Sequence, residues 1–260
     1  MSELKQKWAA GASTLGIWMT SSSPDNAEIV ADADVDYITL DMQHGLVDYN
    51  GVLTMMRALA RTSATVTVRV PWNEPGIIGK VLDAGAMGVI IPMVNTAEQA
   101  RRAVAACRYA PEGSRSYGPI RAKTVNGPGY YSAANERVAC IPMIETVEAI
   151  SNLDEILAVP GIDAVYVGPA DLSLTLGLAP QGDHPDESFQ TALATIVAGC
   201  EAHGIVAGVH ANPGLTATRL EQGFRMVTAV VDLLALGSGI DAGLAAARRT
   251  PGHAAPDDIY

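Results

Sequence analysis

Apolar residues along this chain follow two alternating patterns. Short β-branched runs recur, and each is followed by Pro, Gly or Asp and then by an Ala-rich segment with apolar residues at helical spacing. That alternation is expected of a parallel sheet joined by crossover helices. Eight such runs are found, at residues 14–19, 37–40, 65–70, 88–91, 138–144, 164–167, 205–209 and 225–231. Helices are predicted between and after them at 24–32, 49–61, 76–83, 96–107, 147–157, 187–203, 214–222 and 240–249. Eight βα units close a barrel, so the predicted class is α/β, a single-domain (β/α)8 TIM barrel over residues 1–250. Residues 251–260 are read as a loose tail.

One segment breaks the rhythm. Residues 109–135 are rich in Gly, Pro, Ser, Tyr and Arg and lie between the fourth helix and the fifth strand. Such a segment is either an active-site loop or a surface loop that caps the barrel or meets another subunit.

Composition narrows the picture. Apolar residues make up 48% of the chain and aromatic ones only 5%, so the core must come largely from Val, Ile, Leu, Ala and Met. A net charge of −11 repels phosphate backbones and anionic membrane surfaces, which argues against nucleic-acid and membrane partners. A small anionic substrate would have to be met by an arginine, a metal or a helix N-terminus. Cys107, Cys140 and Cys200 are odd in number and far apart, which suggests neither a disulfide framework nor a zinc site. No apolar run approaches the roughly 20 residues that span a bilayer, and the N-terminus lacks a signal-peptide core. A cytoplasmic protein is expected.

In a barrel, chemistry collects at the C-terminal ends of the strands. The polar residues there are Asp41, Gln43 and His44 after strand two, Arg69 at the end of strand three and Glu145 after strand five. Strand six runs into Gly168, Pro169, Ala170 and Asp171, while His210 and Asp232 follow strands seven and eight. Glu145 and Asp171, on adjacent strands, are placed to converge on one hard divalent cation such as Mg or Mn. Either acid taken alone reads more readily as a helix cap or salt-bridge partner. His44 lies three residues after Asp41 in a tight loop ending on Gly45, where a carboxylate can orient a histidine that acts as a general base. Arg69 occupies a strand position that is normally apolar, so its charge needs an anionic or carbonyl partner. The segment VGPADLS offers backbone N–H groups ahead of a helix, where a carboxylate can sit, or simply an ordinary turn capped by Asp171 or Ser173. None of the four lysines, Lys5, Lys7, Lys80 and Lys123, ends a predicted strand, which argues against Schiff-base chemistry. LGSGID, after strand eight, is the only hint of a phosphate site and is better read as the start of the last helix.

Taken in order, LDMQHG at 40–45, VRVP at 68–71, LDAGAMGVIIPMV at 82–94, EGSRSYGP at 112–119, PMIET at 142–146 and VGPADLS at 167–173 resemble the HpcH/HpaI aldolase family. Its members are metal-dependent pyruvate aldolases on (β/α)8 barrels. The resemblance implies that His44 accepts the proton, Arg69 stabilises the enolate, and Glu145 and Asp171 bind Mg, Mn or Co. It further implies that Asp41 orients His44, and that Asp83 raises the basicity of the histidine in a neighbouring subunit of a homo-oligomer, with a hexamer expected. Gly168, Pro169 and Ala170 match the turn that holds the substrate carboxylate. Two positions depart from the pattern: Gln43 stands where glutamate is frequent, and Met143 where some members place a substrate-binding glutamine. The expected partners are a small 2-oxo acid, pyruvate or hydroxypyruvate, and an aldehyde. Competing readings are a CoA-ester lyase of the citramalyl or malyl type, which needs a basic patch not evident here, and a non-catalytic keto-acid-binding barrel, which has no need of the base.

Overall fold

A computed structural model describes residues 2–249, and its strands form a single eight-stranded parallel sheet. In chain order they are β1 (Thr14–Met19), β2 (Tyr37–Asp41), β3 (Thr65–Arg69), β4 (Gly88–Ile91), β5 (Ala139–Pro142), β6 (Ala164–Val167), β7 (Val206–His210) and β8 (Met226–Val231). The sheet runs from β5 through β1 to β8, β7 and β6. Its two edges meet through a bridge between Met143 and Tyr166, where the Ile144 N–H donates to the Tyr166 carbonyl at 3.0 Å. The predicted barrel is thereby closed.

The helices are α1 (Glu3–Ala9), α2 (Pro24–Val30), α3 (Tyr49–Ala58), α4 (Pro75–Ala84), α5 (Ala97–Cys107), α6 (Ile120–Asn126), α7 (Tyr130–Arg137), α8 (Val147–Ser151), α9 (Leu153–Leu157), α10 (Pro169–Thr175), α11 (Glu187–His203), α12 (Thr216–Glu221) and α13 (Asp232–Arg249). Local chemistry sets many of their ends. Ser23, Asp48, Thr96, Thr146 and Asp186 cap helix starts with side-chain oxygens, and Thr96 forms a full capping box with Gln99. Gly85 and Gly204, both at positive φ, terminate α4 and α11.

Two apolar layers result. Val, Ile, Leu, Ala and Met fill the shell between strands and helices, as composition requires. The barrel interior instead holds Trp18, Tyr37 and Tyr166 with Ile90, Met143 and Met226. The hydroxyls of Tyr37 and Tyr166 both meet Thr228 Oγ1, at 3.1 and 2.5 Å, which satisfies polar groups that have no access to water. Leu4 and Trp8 of α1 join this interior cluster, and the Trp8 indole N–H donates to Thr14 Oγ1 at the start of β1. The N-terminal end of the barrel is plugged, which leaves the opposite end for ligands.

Several expectations are corrected. Helix α1 was not predicted, because seven residues carry under two turns of pattern. The 109–135 segment is not a plain loop but contains α6 and most of α7. The helix expected at 147–157 breaks at Asn152, whose side chain donates to the Asn95 carbonyl at 2.9 Å. The last helix starts at Asp232 rather than 240, so LGSGID lies inside α13. No helix among the described residues is long and apolar enough to cross a membrane. The tail read as loose, 251–260, lies outside the described residues.

Candidate active site

Register brings the first pair together. Asp41 and Arg69 are the last residues of adjacent strands and lie opposite one another. Arg69 donates from Nε to Asp41 Oδ1 at 2.8 Å and from Nη2 to Oδ2 at 2.6 Å, a two-pronged ion pair with both residues buried. The anionic partner demanded by Arg69 is thus supplied within the chain. Burial pushes the Asp41 carboxyl up, but the hydrogen bonds and charge of Arg69 outweigh it and hold the group below its ordinary value.

Asp41 Oδ1 also accepts the backbone N–H groups of Gln43 at 3.0 Å and His44 at 3.4 Å. Asp41 therefore fixes the loop through its backbone, and the His44 side chain projects from it, exposed. Gly45 closes the turn: a Cβ there would lie 2.3 Å from the Asp41 carbonyl oxygen. Gln43 Oε1 is buried without a hydrogen-bond partner.

Glu145 follows β5 and is 1% exposed. Its Oε1 accepts the Met93 N–H at 2.8 Å, and its Oε2 has no partner. Burial pushes this carboxyl up to about 7; the Met93 N–H and the Arg69 charge oppose the rise, and the negative charge of Asp171 adds to it. Gly168 makes room for the free oxygen, since a Cβ at that position would lie 2.3 Å from Oε2. Pro169 opens α10, and Ala170, exposed, and Asp171, half-buried, follow in its first turn. A buried carboxylate oxygen without a donor, with a second acid near enough for its charge to be felt, offers oxygens of the kind a hard divalent cation takes. Among the described residues no third His, Cys, Asp or Glu joins them, so Glu145 and Asp171 are the candidate ligands.

The other candidates play different parts. The Met143 side chain is buried in the barrel interior with its methyl close to Gly168, and it lacks the amide donors and acceptor of a glutamine. Asp83 sits at the C-terminal end of α4, five residues before β4 begins, and so lies at the plugged end of its own barrel. There it pairs with Arg115 at 2.7 Å. Asp232 ties β8 to the loop after β1 by accepting from the Thr20 and Ser21 N–H groups. The lysines stay away from the mouth: Lys5 pairs with Asp163, Lys7 with Asp36, Lys80 lies over Tyr49, and Lys123 is exposed on α6.

Two contributors were not singled out from sequence. Trp18 lies under Arg69, with the guanidinium carbon 4.9 Å from the ring centroid, and stacks on Tyr166 at 5.3 Å. Met93 has a φ of 56°, which aims its N–H at Glu145. An inward-facing aromatic near a strand end was a signal for the first; no residue-type signal marks the second.

A closed parallel barrel that places a buried arginine, a loop histidine and two acids at the C-terminal ends of its strands has the architecture of enzymes whose chemistry sits at that end. The chain belongs to the HpcH/HpaI aldolase/citrate lyase family, whose model matches residues 14–237. It is 39% identical over 249 residues to a hydroxypyruvate/pyruvate aldolase of Rhizorhabdus wittichii, covering 95% of this chain and 99% of that one. It is 38% identical to a 4-hydroxy-2-oxo-heptane-1,7-dioate aldolase of Salmonella heidelberg, covering 92% and 91% respectively. Among solved structures, an HpcH/HpaI aldolase/citrate lyase family protein from Burkholderia cenocepacia J2315 superposes with a TM-score of 0.89 at 30% identity, over 95% of this chain and all of that one.

Proposed function

We propose that the chain is a divalent-metal-dependent aldolase, a carbon–carbon lyase that cleaves or forms 4-hydroxy-2-oxo acids from pyruvate or hydroxypyruvate and an aldehyde. The observation that carries this reading is the unpartnered, buried Oε2 of Glu145, within electrostatic reach of Asp171 and of the Arg69 that pairs with Asp41. Glu145 and Asp171 hold Mg, Mn or Co, which when bound supplies Lewis-acid polarisation of the 2-oxo group. Arg69 faces the oxygen that becomes negative in the enolate, and Asp41 holds the guanidinium in place beforehand, so that little reorganisation is needed.

His44 is the base. In cleavage it takes the proton of the 4-hydroxyl; the C3–C4 bond breaks, its electron pair enters the enolate, and the aldehyde departs. In synthesis the same group returns the proton to the aldehyde oxygen. The Gly168–Pro169–Ala170 turn receives the substrate carboxylate, and the free Gln43 Oε1 accepts a hydrogen bond from the ligand or its water. Met143 contributes shape alone.

The enzyme works as a homo-oligomer, with a hexamer the expected form. Leu233, Leu234, Leu236, Ile240 and Leu244 of α13 are all exposed in the single chain, which an interface would cover. Asp83, remote from its own mouth, then serves the His44 of a neighbour. The domain comprises residues 1–250, and three free buried cysteines suit the cytoplasm.

The test is pyruvate release from 4-hydroxy-2-oxo acids, followed by a coupled dehydrogenase after EDTA stripping and again after Mn or Mg is added. Activity lost on chelation and restored by metal supports the reading. Absence of release from several such acids, with metal still bound, favours the CoA-ester lyase or the non-catalytic barrel.

A further inference from the structure

His210, the last residue of β7, plays no part in the chemistry above, yet its ring belongs to the cluster around Trp18. The imidazole meets the indole edge-on, with centroids 5.1 Å apart and an interplanar angle of 89°. Arg69, Tyr166 and His210, from three different strands, thus share one aromatic platform just inside the mouth. Packing against Trp18 fixes the orientation of the histidine.

Its polar atoms are not satisfied by the protein. Thr228, its register partner on β8, already has its hydroxyl engaged by Tyr37 and Tyr166. The residue is half-buried, and neither ring nitrogen has a hydrogen-bond partner among the described residues. Burial and the nearby Arg69 charge hold the imidazole neutral, with its pKa lowered to about 4 against a smaller opposing effect of Asp41. A neutral imidazole presents one donor and one acceptor. A carboxylate is better met by the guanidinium next to it, whereas a hydroxyl, itself donor and acceptor, matches this group. Once a ligand displaces water from the mouth, leaving the ring unpaired carries a desolvation penalty.

We propose that His210 is a specificity-determining residue that hydrogen-bonds a hydroxyl group of the substrate. The hydroxyl comes either from the donor, as in hydroxypyruvate rather than pyruvate, or from an α-hydroxyaldehyde acceptor. This inference rests on the aldolase reading and assigns its substrate preference.

The experiment measures kcat/KM of the metal-loaded enzyme in synthesis, crossing pyruvate and hydroxypyruvate with acetaldehyde and glycolaldehyde, for the parent, His210→Phe and His210→Gln. Phe keeps an aromatic ring beside Trp18 without the nitrogens, and Gln keeps a donor and an acceptor without the ring. His210→Phe is expected to lower kcat/KM about tenfold for the hydroxyl-bearing donor or acceptor and to leave its deoxy counterpart within about twofold, the scale of one neutral hydrogen bond. Gln should restore part of the loss. Whichever arm moves identifies the source of the hydroxyl. Equal effects on all four combinations, or an unchanged ratio in both variants, would overturn the role of His210 while leaving the aldolase intact. If the parent turns over no combination, the aldolase reading fails and the His210 proposal falls with it.

Discussion

The backbone N–H of Met93 donates to Oε1 of Glu145 at 2.8 Å from a residue whose φ is 56°. Left-handed backbone in a non-glycine residue costs about 1–2 kcal/mol, so the surrounding structure must hold it there. The benefit is directional. One carboxylate oxygen is tethered, and the other is left free beside Gly168. Met93→Gly relieves the strain and keeps the N–H, so manganese affinity should stay close to that of the parent. Met93→Ile puts a β-branched side chain at positive φ and should destabilise the fold by about 1–3 kcal/mol while weakening manganese binding. Calorimetric titration with Mn and thermal unfolding read the two effects separately. Equal metal affinity in parent and Ile variant would show that the tether does not position Glu145.

Glu145 makes a second prediction through its raised pKa of about 7, against an ordinary value of 4.5. Between these values the folded protein keeps the proton that the unfolded chain has lost, so metal-stripped protein should lose stability as pH rises through that window and level off above it. A shift of this size corresponds to on the order of 3 kcal/mol. Glu145→Gln should remove most of that slope, raise the melting temperature of the EDTA-treated protein at pH 8, and abolish turnover. Urea titrations from pH 4.5 to 8 give the comparison, and parallel pH profiles for parent and variant would contradict the assignment.

Arg69→Lys tests the geometry of the enolate partner. Lysine keeps the charge but cannot make the paired bonds from Nε and Nη2 to Asp41. Turnover should fall about 10²–10³-fold, as when a preorganised oxyanion donor is lost. Steady-state kinetics with metal saturating should place the loss in kcat more than in KM. Arg69→Ala is expected to be worse for the fold, because it leaves Asp41 buried and unpaired at a cost of about 3–5 kcal/mol.

Several residues of this candidate site are legible in the sequence alone. The eight strands declare themselves because parallel strands buried on both faces read as short β-branched runs, and Arg69, Glu145 and Asp171 stand out because charges at strand ends need a purpose. The pairing of Arg69 with Asp41 was not legible, since it depends on the register of β2 against β3. Nor was the φ of Met93, because most non-glycine residues can be forced into that region and none announces it. Trp18 was obscured for another reason: at a strand end, an aromatic that packs and one that lines a pocket carry the same period-two signal. His210 reads from sequence as a residue of the mouth, but its edge-on contact with Trp18 does not. Helices α6 and α7 hide among Gly and Pro that read as loop.

The remoteness of Asp83 from its own mouth allows a test that no single-chain explanation can pass. Asp83 lies at the plugged end, paired with Arg115, whereas His44 projects at the open end. If Asp83 completes a neighbour's site, Asp83→Asn and His44→Asn should each be poorly active alone, one lacking the assisting carboxylate and the other the base. Mixed oligomers, formed by co-expression of the two variants, would contain some sites in which an intact His44 faces an intact Asp83 from the adjoining subunit. Activity should then rise to about a quarter of the parent value for random pairing, the fraction expected when each position is drawn independently. Adding Leu234→Glu and Ile240→Glu on the exposed face of α13 should reduce the assembly size in light scattering and remove the recovery. Recovery that persists in dispersed single chains, or its absence from intact mixed oligomers, would return Asp83 to a purely structural pairing with Arg115.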